Sequence, residues 1–158
     1  MKKIIVLITL ALVLIIPGMV FAAGSCTQTI TEHNSVQMSV TFSCTGDAAD
    51  GTIPDTDTAT TDANGKILNA TLTQGWYLHD VKTVPGATAP DAADVLIKDT
   101  DGLDLLDGLG TNLIHATNPQ SMGDSMPFYP PVTGVLTLDV NNQDTVSATY
   151  TVELKFGK

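Results

Sequence analysis

The chain has 158 residues, a length that suits a single domain with a core of its own. Its formal net charge at pH 7 is −10, it contains no arginine, and its lysines are few and scattered. Phosphate recognition depends on arginine and on clustered positive charge, so nucleic acid is not expected as a partner, and anionic membrane surfaces are disfavoured. Aspartate is typical of turns and threonine of strands. Because both residues are abundant, the composition favours an all-β chain.

The first 22 residues have the layout of a secretory signal peptide. Two lysines precede an apolar run over 4–16 that contains Thr9 as its one polar residue, a Pro-Gly pair ends the run, and the small residue Ala22 precedes the expected cleavage site. The run is shorter than the ~20 residues that a membrane span needs. We therefore predict no stable membrane span after cleavage, a mature chain beginning at residue 23 or 24, and a secreted, periplasmic or cell-surface location. An uncleaved anchor and lipidation of Cys26 are the alternatives.

Cys26 and Cys44 are the only cysteines, and in an exported protein an even pair is most simply a disulfide. Apolar and polar residues alternate on both sides of 33–36, which predicts a β-hairpin. One register of this hairpin places Cys26 opposite Cys44 and Ile30 opposite Val40. The disulfide would then close the open end of the hairpin.

The sequence after the hairpin predicts a long acidic loop followed by several strands. Residues 47–65 contain many aspartates and almost no apolar side chain except Ile53, which indicates a solvated loop with one short edge strand at most. Residues 107–125 are expected to form a loop with one helical turn, and 127–131 a rigid, extended segment. The predicted strands span 66–73, 76–84, 94–100, 103–106, 132–140 and 146–156.

The last two of these strands flank a turn at 141–144, and we expect them to form the closing hairpin. Apolar side chains recur at every second position of the final strand, which therefore needs a core on one side. These residues are Val146, Ala148, Tyr150, Val152, Leu154 and Phe156.

The strand pattern predicts an all-β fold, an antiparallel β-sandwich of about seven or eight short strands with an N-terminal disulfide-stapled hairpin. Residues 1–22 would be the signal peptide and 23–158 a single domain. This domain divides into the disulfide hairpin 23–46, the acidic loop 47–65 and the sandwich body 66–158. A hairpin appended to the body as a separate ribbon is the alternative.

Asp99, Asp101, Asp104 and Asp107 form the best candidate metal site, because Ca²⁺ prefers several carboxylate and carbonyl oxygens on a tight loop. The spacing differs from an EF-hand loop, since Gly102 comes too early and no glutamate closes the loop. An Asp-Gly hairpin turn explains the same residues without a metal. We therefore expect no cofactor, with Ca²⁺ as the alternative.

Two further metal hypotheses are weaker. Asp55, Asp57 and Asp62 fit a solvated acidic loop. Copper proteins combine imidazole with thioether ligands. The candidate copper ligands of this chain lie on different predicted elements: His33, His79, His115, Met122 and Met126.

No catalytic constellation is visible, and we predict that the protein is not an enzyme. The chain has no Gly-x-Ser-x-Gly motif, leaves no free cysteine, and has no carboxylate pair that stands out. The aromatic pairs Trp76–Tyr77 and Phe128–Tyr129 suggest another kind of site. Core packing of Trp76 and a loop anchor at Phe128 are expected, with a stacking platform for sugar or peptide as the alternative.

From Trp76 onward the chain resembles small uncharacterised phage and prophage proteins associated with virion structural genes. The resemblance covers roughly residues 74–158 and is carried by VKTVPGATAPDAADVLIKDTDGLDLLDG, GVLTLDV and VSATYTVELKF. It implies a compact β-sandwich with a structural or attachment role, and it implies no catalytic or other site residues. The signal peptide and the disulfide hairpin lie outside it.

Together these observations predict a non-enzymatic, exported structural or interaction protein. It would bind a protein partner or assemble with itself, as a subunit of an extracellular or virion-like assembly. An exported module that binds Ca²⁺, copper or carbohydrate is the alternative.

Overall fold

The computed structural model describes residues 23–58, 75–123, 126, 128–132 and 134–158. These residues form nine β-strands in two antiparallel sheets, which confirms the predicted all-β class. No helix long and apolar enough to cross a membrane occurs among them. The strands are β1 (Ser25–Asn34), β2 (Gln37–Thr45), β3 (Thr56–Asp57), β4 (Trp76–Pro85), β5 (Asp94–Lys98), β6 (Gln120–Ser121), β7 (Pro131–Val132), β8 (Thr137–Asn141) and β9 (Thr149–Gly157).

The larger sheet has the strand order β1-β2-β9-β4-β6, and β7 pairs with β4 beside this path. Strand β9 lies in the middle and pairs with β2 on one side and β4 on the other. Its inward side chains are buried from Tyr150 to Phe156, as the alternating sequence predicted. The sheet is therefore organised around the last strand of the chain.

The N-terminal hairpin has the predicted register. Cys26 pairs with Cys44 and Ile30 with Val40, and a disulfide joins the two cysteines. The hairpin is not an appended ribbon, because β2 pairs with β9 along its whole length and Val40 and Phe42 are fully buried in the common core. The disulfide therefore stabilises one margin of the main sheet.

The smaller sheet has the order β3-β8-β5 and covers the other side of the core. Its edge strand β3 lies in the predicted acidic loop, where Ile53 is buried. The loop after β5 returns along the outer edge of that strand, and the N–H of Val95 donates to the carbonyl of Gly110 at 2.9 Å. A Cβ atom at Gly110 would lie 1.8 Å from the Val95 oxygen, so glycine permits this approach.

The predicted closing hairpin is wrong, because β8 and β9 lie in different sheets. Strand β8 pairs with β3 and β5, whereas β9 pairs with β2 and β4. The connection crosses from one sheet to the other with positive φ angles at Asn142 (63°) and Ser147 (53°). Val146, expected on the buried face, lies in this connection and is 47% exposed. Alternation requires a core on one side of a strand but does not specify the neighbouring strand.

One smaller expectation also differs from the structure, because the return strand 103–106 is reduced to a single bridge between Lys98 and Asp104. Residues 105–112 form consecutive turns with positive φ angles at Asp107 (49°) and Asn112 (54°). The helical turn expected within 107–125 stays a prediction, because residues 124–125 lie outside the described part of the chain. The predicted strand 66–73 and the signal peptide lie outside the described residues.

Replacing both Cys26 and Cys44 with serine is expected to lower the free energy of unfolding by about 3 kcal/mol, because the disulfide spans a sequence separation of 18. Urea denaturation followed by tryptophan fluorescence measures this loss. Wild-type protein with its disulfide reduced should unfold at the same urea concentration as the double variant. An unchanged midpoint in the double variant would contradict a stabilising role for the bridge.

Candidate interaction surface

Three exposed aromatic side chains lie along β4 and the adjoining segment 128–132. Segment 128–132 is held against β4 by pairing of Tyr77 with Pro131 and by the N–H of Leu78, which donates to the Pro130 carbonyl at 3.0 Å. The exposed side chains, which we call the aromatic ridge, are Tyr77 (42% exposed), Phe128 (46%) and Tyr129 (48%). Trp76 is buried in the core, as expected.

A β-bulge at His79 shapes the surface beside this ridge. The pairing of β4 with β9 shifts between Leu78 and Asp80, so His79 has no opposite residue in the register. Its imidazole stacks on the ring of Tyr129 with centroids 4.4 Å apart and an interplanar angle of 22°. A Cβ atom at Gly157 would lie 2.7 Å from His79 Nε2, so the imidazole also lies directly over this glycine. The stacked pair is thus supported by two strands.

A cleft of about 330 Å³ opens next to the bulge, where the β1–β2 turn meets the ends of β4 and β9. Buried Met38 and Phe156 contribute to its apolar lining, and Val36 lines it while remaining 48% exposed. Two lysines and two histidines line it: Lys155, Lys158, His33 and His79. We call this site the cationic cleft.

The acidic side chain in the lining of this cleft is already paired. Asp80 accepts hydrogen bonds from Lys155 Nζ at 2.8 Å, from the Ser121 hydroxyl at 2.8 Å and from the Gly123 N–H at 2.7 Å. Burial alone would raise the pKa of Asp80, but these hydrogen bonds outweigh it and hold the pKa below its ordinary value. The hydrogen bond to Asp80 raises the pKa of Lys155.

Lys158 is held at the cleft by two contacts. Its backbone N–H donates to the carbonyl of Val36 at 3.1 Å, and its ammonium lies 4.8 Å from the centre of the Trp76 ring. This geometry is a cation–π contact, which is attractive for lysine above an indole. The positive charge of Lys158 is therefore positioned beside the cleft.

The four candidate calcium ligands lie on one turn, but the carboxylates of Asp99 and Asp104 accept hydrogen bonds from backbone N–H groups. Asp99 Oδ1 accepts the N–H groups of Asp101 and Leu103, both at 2.9 Å. Asp104 accepts three more, from Ile97 at 3.2 Å and from Leu106 and Gly108 at 3.0 Å. In the part of the chain that the structure describes, no group of three or more His, Cys, Asp or Glu residues could hold a metal ion. These hydrogen bonds are those of a carboxylate-capped turn.

We call residues 99–107 the acidic turn, and its most prominent side chain is apolar. Leu103 is 66% exposed, the highest value for a large apolar residue in the described part of the chain. A second cavity, of about 370 Å³, lies between the acidic turn and the ridge and is lined by residues including Leu103, Phe128 and Pro130. Segment 128–131 thus borders the acidic turn through Phe128 and Pro130 and contacts the cleft residue His79 through Tyr129.

The copper hypothesis places its residues in three different environments. His33 and His79 line the cationic cleft, and His33 Nε2 lies 3.2 Å from the Ser39 hydroxyl. His115 lies elsewhere, where its Nδ1 accepts backbone N–H groups. Met122 and Met126 are buried in the core.

Of the second aspartate group, Asp57 accepts a hydrogen bond from Thr137 and Asp62 lies outside the described residues.

Sequence reasoning identified the aromatic residues and the aspartates but missed Val36, Leu103 and Lys158. The pattern LDLL suggested a strand, so nothing indicated that Leu103 would face solvent at the tip of a turn. Val36 and Lys158 become neighbours only through the pairing of β2 with β9. The sequence does contain one signal for the cleft, since the change of parity between Leu78 and Val81 in β4 indicates the bulge at His79.

The chain matches no protein-family model, and comparisons with curated proteins and with solved structures gave no significant match. The assignment to the antiparallel β-sandwich class therefore depends on the strand topology described above.

Asp104→Ala is expected to lower the free energy of unfolding by roughly 1–3 kcal/mol in the absence of metal, because three backbone N–H groups lose their acceptor. Asp101→Ala is the matched control. The Asp101 carboxylate accepts no hydrogen bond from the described residues, so this change should stay within about 0.5 kcal/mol. Urea denaturation with chelator and with millimolar Ca²⁺ measures both. Stabilisation of the wild type by Ca²⁺ that Asp101→Ala abolishes would instead support a calcium site.

The low pKa of Asp80 predicts a specific dependence of stability on pH. Because the folded-state pKa is depressed, the stabilisation by the carboxylate is present above the unfolded value of about 4 and is lost as pH falls through the folded value. Asp80→Asn should therefore cost roughly 1 kcal/mol at pH 7, and this cost should shrink as the pH falls below the unfolded value of about 4. Chemical denaturation across this pH range tests it, with exposed Asp91→Asn as the control. If Asp80→Asn lowered the free energy of unfolding by the same amount at every pH, the stabilising role of the ionised Asp80 carboxylate would be contradicted.

Proposed function

We propose that this chain is an exported, non-enzymatic structural or interaction protein that acts by binding another protein surface. In this proposal it is a subunit of an extracellular or virion-like assembly. The observation that supports it is the aromatic ridge, in which Tyr77, Phe128 and Tyr129 are all more than two-fifths exposed. Aromatic residues are enriched at protein interfaces and rarely lie together in solvent without a function.

The ridge is well suited to binding because its residues are already held in place. Tyr77 lies in β4, Tyr129 stacks on His79, and the carbonyl of Pro130 accepts a hydrogen bond from β4. A surface that is ordered before binding loses little conformational entropy when a partner arrives. This arrangement favours recognition by a preformed surface.

Two observations support an exported location. The disulfide between Cys26 and Cys44 is typical of oxidising compartments. The N-terminal sequence has the signal-peptide layout, and the described domain begins at residue 23. The resemblance to virion-associated proteins suggests an assembly role for the same module.

Carbohydrate binding is a second candidate, favoured by the flat, half-exposed ring of Tyr129 on its imidazole support. Such a ring can stack on a sugar, and polar side chains of the nearby cleft could bind its hydroxyl groups. This mode would require a glycan to contact the same ridge.

The exported form of the chain is expected to bind itself or the surface of its producing cells, and Phe128→Ser or Tyr129→Ser should weaken binding by roughly tenfold. Sedimentation velocity and cell-binding assays measure the two modes. Val146→Ser, which changes an apolar side chain of 47% exposure outside the ridge, is the control.

Thermal melts with a glycan panel separate the candidates. A stabilisation by one glycan that Tyr129→Ser abolishes would favour the carbohydrate module. A wild-type protein that stays monomeric and binds neither cells nor partner proteins would contradict the interaction role.

A further inference from the structure

We propose that the partner of the aromatic ridge is a second copy of this chain, related by a two-fold axis through the ridge. In this dimer the acidic turn of each copy lies in the cationic cleft of the other. The inference rests on the proposed function and adds the identity of the partner and the geometry of the contact.

Charge is distributed unevenly around the ridge. The acidic turn, which carries Asp99, Asp101, Asp104 and Asp107, borders Phe128 and Pro130. The cationic cleft borders Tyr129 through His79, and because its Lys155–Asp80 pair is neutral, Lys158 supplies its positive charge. Charge of the two signs therefore borders one short segment, although the chain as a whole is strongly acidic. A surface of this kind is complementary to itself.

An apolar projection of the acidic turn also matches the apolar lining of the cleft. Leu103 projects from the middle of the acidic turn and is 66% exposed. The cationic cleft has apolar side chains in its lining and a volume of about 330 Å³, enough for a leucine side chain. Burial of Leu103 there would remove apolar surface from water at both sites. The flanking aspartates would then lie close to the basic rim.

The acidic turn and the cationic cleft also lie close to the same segment of the chain. Tyr129 contacts His79 of the cleft, and its neighbours Phe128 and Pro130 line the cavity next to Leu103. Because the projection and the recess border the same short segment, a half-turn about an axis through that segment exchanges them. Two equal contacts form at once, and the assembly closes as a dimer. The two ridges meet at the axis and form an aromatic centre with a charged rim.

The relative strengths of these contacts decide how the dimer should respond to salt. Exposed ion pairs each contribute about 0–1 kcal/mol, so the charges would mainly select the orientation. Burial of Leu103 and of the aromatic rings would provide most of the affinity. Salt is therefore expected to weaken the dimer moderately without abolishing it.

Sedimentation equilibrium and light scattering over a wide concentration range test the proposal. The mass of the exported form should rise from one chain to two and go no further. Leu103→Asp, which changes the projection, and Val36→Asp, which places a negative charge in the cleft, should each raise the dimer dissociation constant by roughly tenfold or more. Both side chains are exposed, so neither change should impair folding.

Val146→Asp is the matched control for Val36→Asp, since the two valines are 47% and 48% exposed. It should leave the dissociation constant unchanged. An equimolar mixture of Leu103→Asp and Val36→Asp provides a second test, because a mixed dimer retains one intact contact between Leu103 and a cleft. The mixture should therefore dimerise more tightly than either variant alone.

Several results would overturn the inference. A wild-type protein that is monomeric at all concentrations, or a mass that continues to rise beyond two chains, excludes the closed dimer. A dimer insensitive to both Leu103→Asp and Val36→Asp uses another surface. In each case the proposed function is tested separately, because binding to cells or partner proteins that depends on Phe128 and Tyr129 would still support it.

Discussion

The pairing of β9 on both of its edges is the constraint on which the rest of the structure depends. This strand joins the disulfide hairpin to β4, and Val152 and Leu154 on its inner face are completely buried. The same strand carries the candidate surface at its end, because Lys155 pairs with Asp80 and Gly157 lies beneath His79. Folding of the core and formation of the cationic cleft therefore require the same strand alignment.

The N-terminal hairpin was predictable in detail because its pairing is local. A short turn, alternating side chains and two cysteines at corresponding distances from the turn allow one register, and β1 and β2 adopt it. The pairing of β8 and β9 was not predictable in the same way. Each strand has an apolar face, but their partners come from distant parts of the chain, and alternation alone does not distinguish those partners from a neighbour in sequence.

The sequence predicted which residues belong to the candidate surface better than it predicted what each of them does there. Core packing was predicted for Trp76, which is buried, and its neighbour Tyr77 is exposed because successive side chains of a strand lie on opposite sides. The aspartates at 99–107 were recognised as a group, but a sequence does not reveal which carboxylates accept backbone N–H groups. Asp104 accepts three backbone N–H groups and so stabilises the turn in which it lies. The exposure of Leu103 follows from that same geometry.

The bulge at His79 connects sequence, fold and site most directly. Trp76 and Leu78 face the core at even positions of β4, whereas Val81 and Thr83 do so at odd positions. This change of parity within WYLHDVKTV requires an extra residue in the strand, and the register shift lies at that point. An uninterrupted strand would direct either Leu78 or Val81 away from the core. Because the bulge keeps both inside, His79 and Asp80 line the cleft together. The core therefore imposes the geometry that the cleft requires.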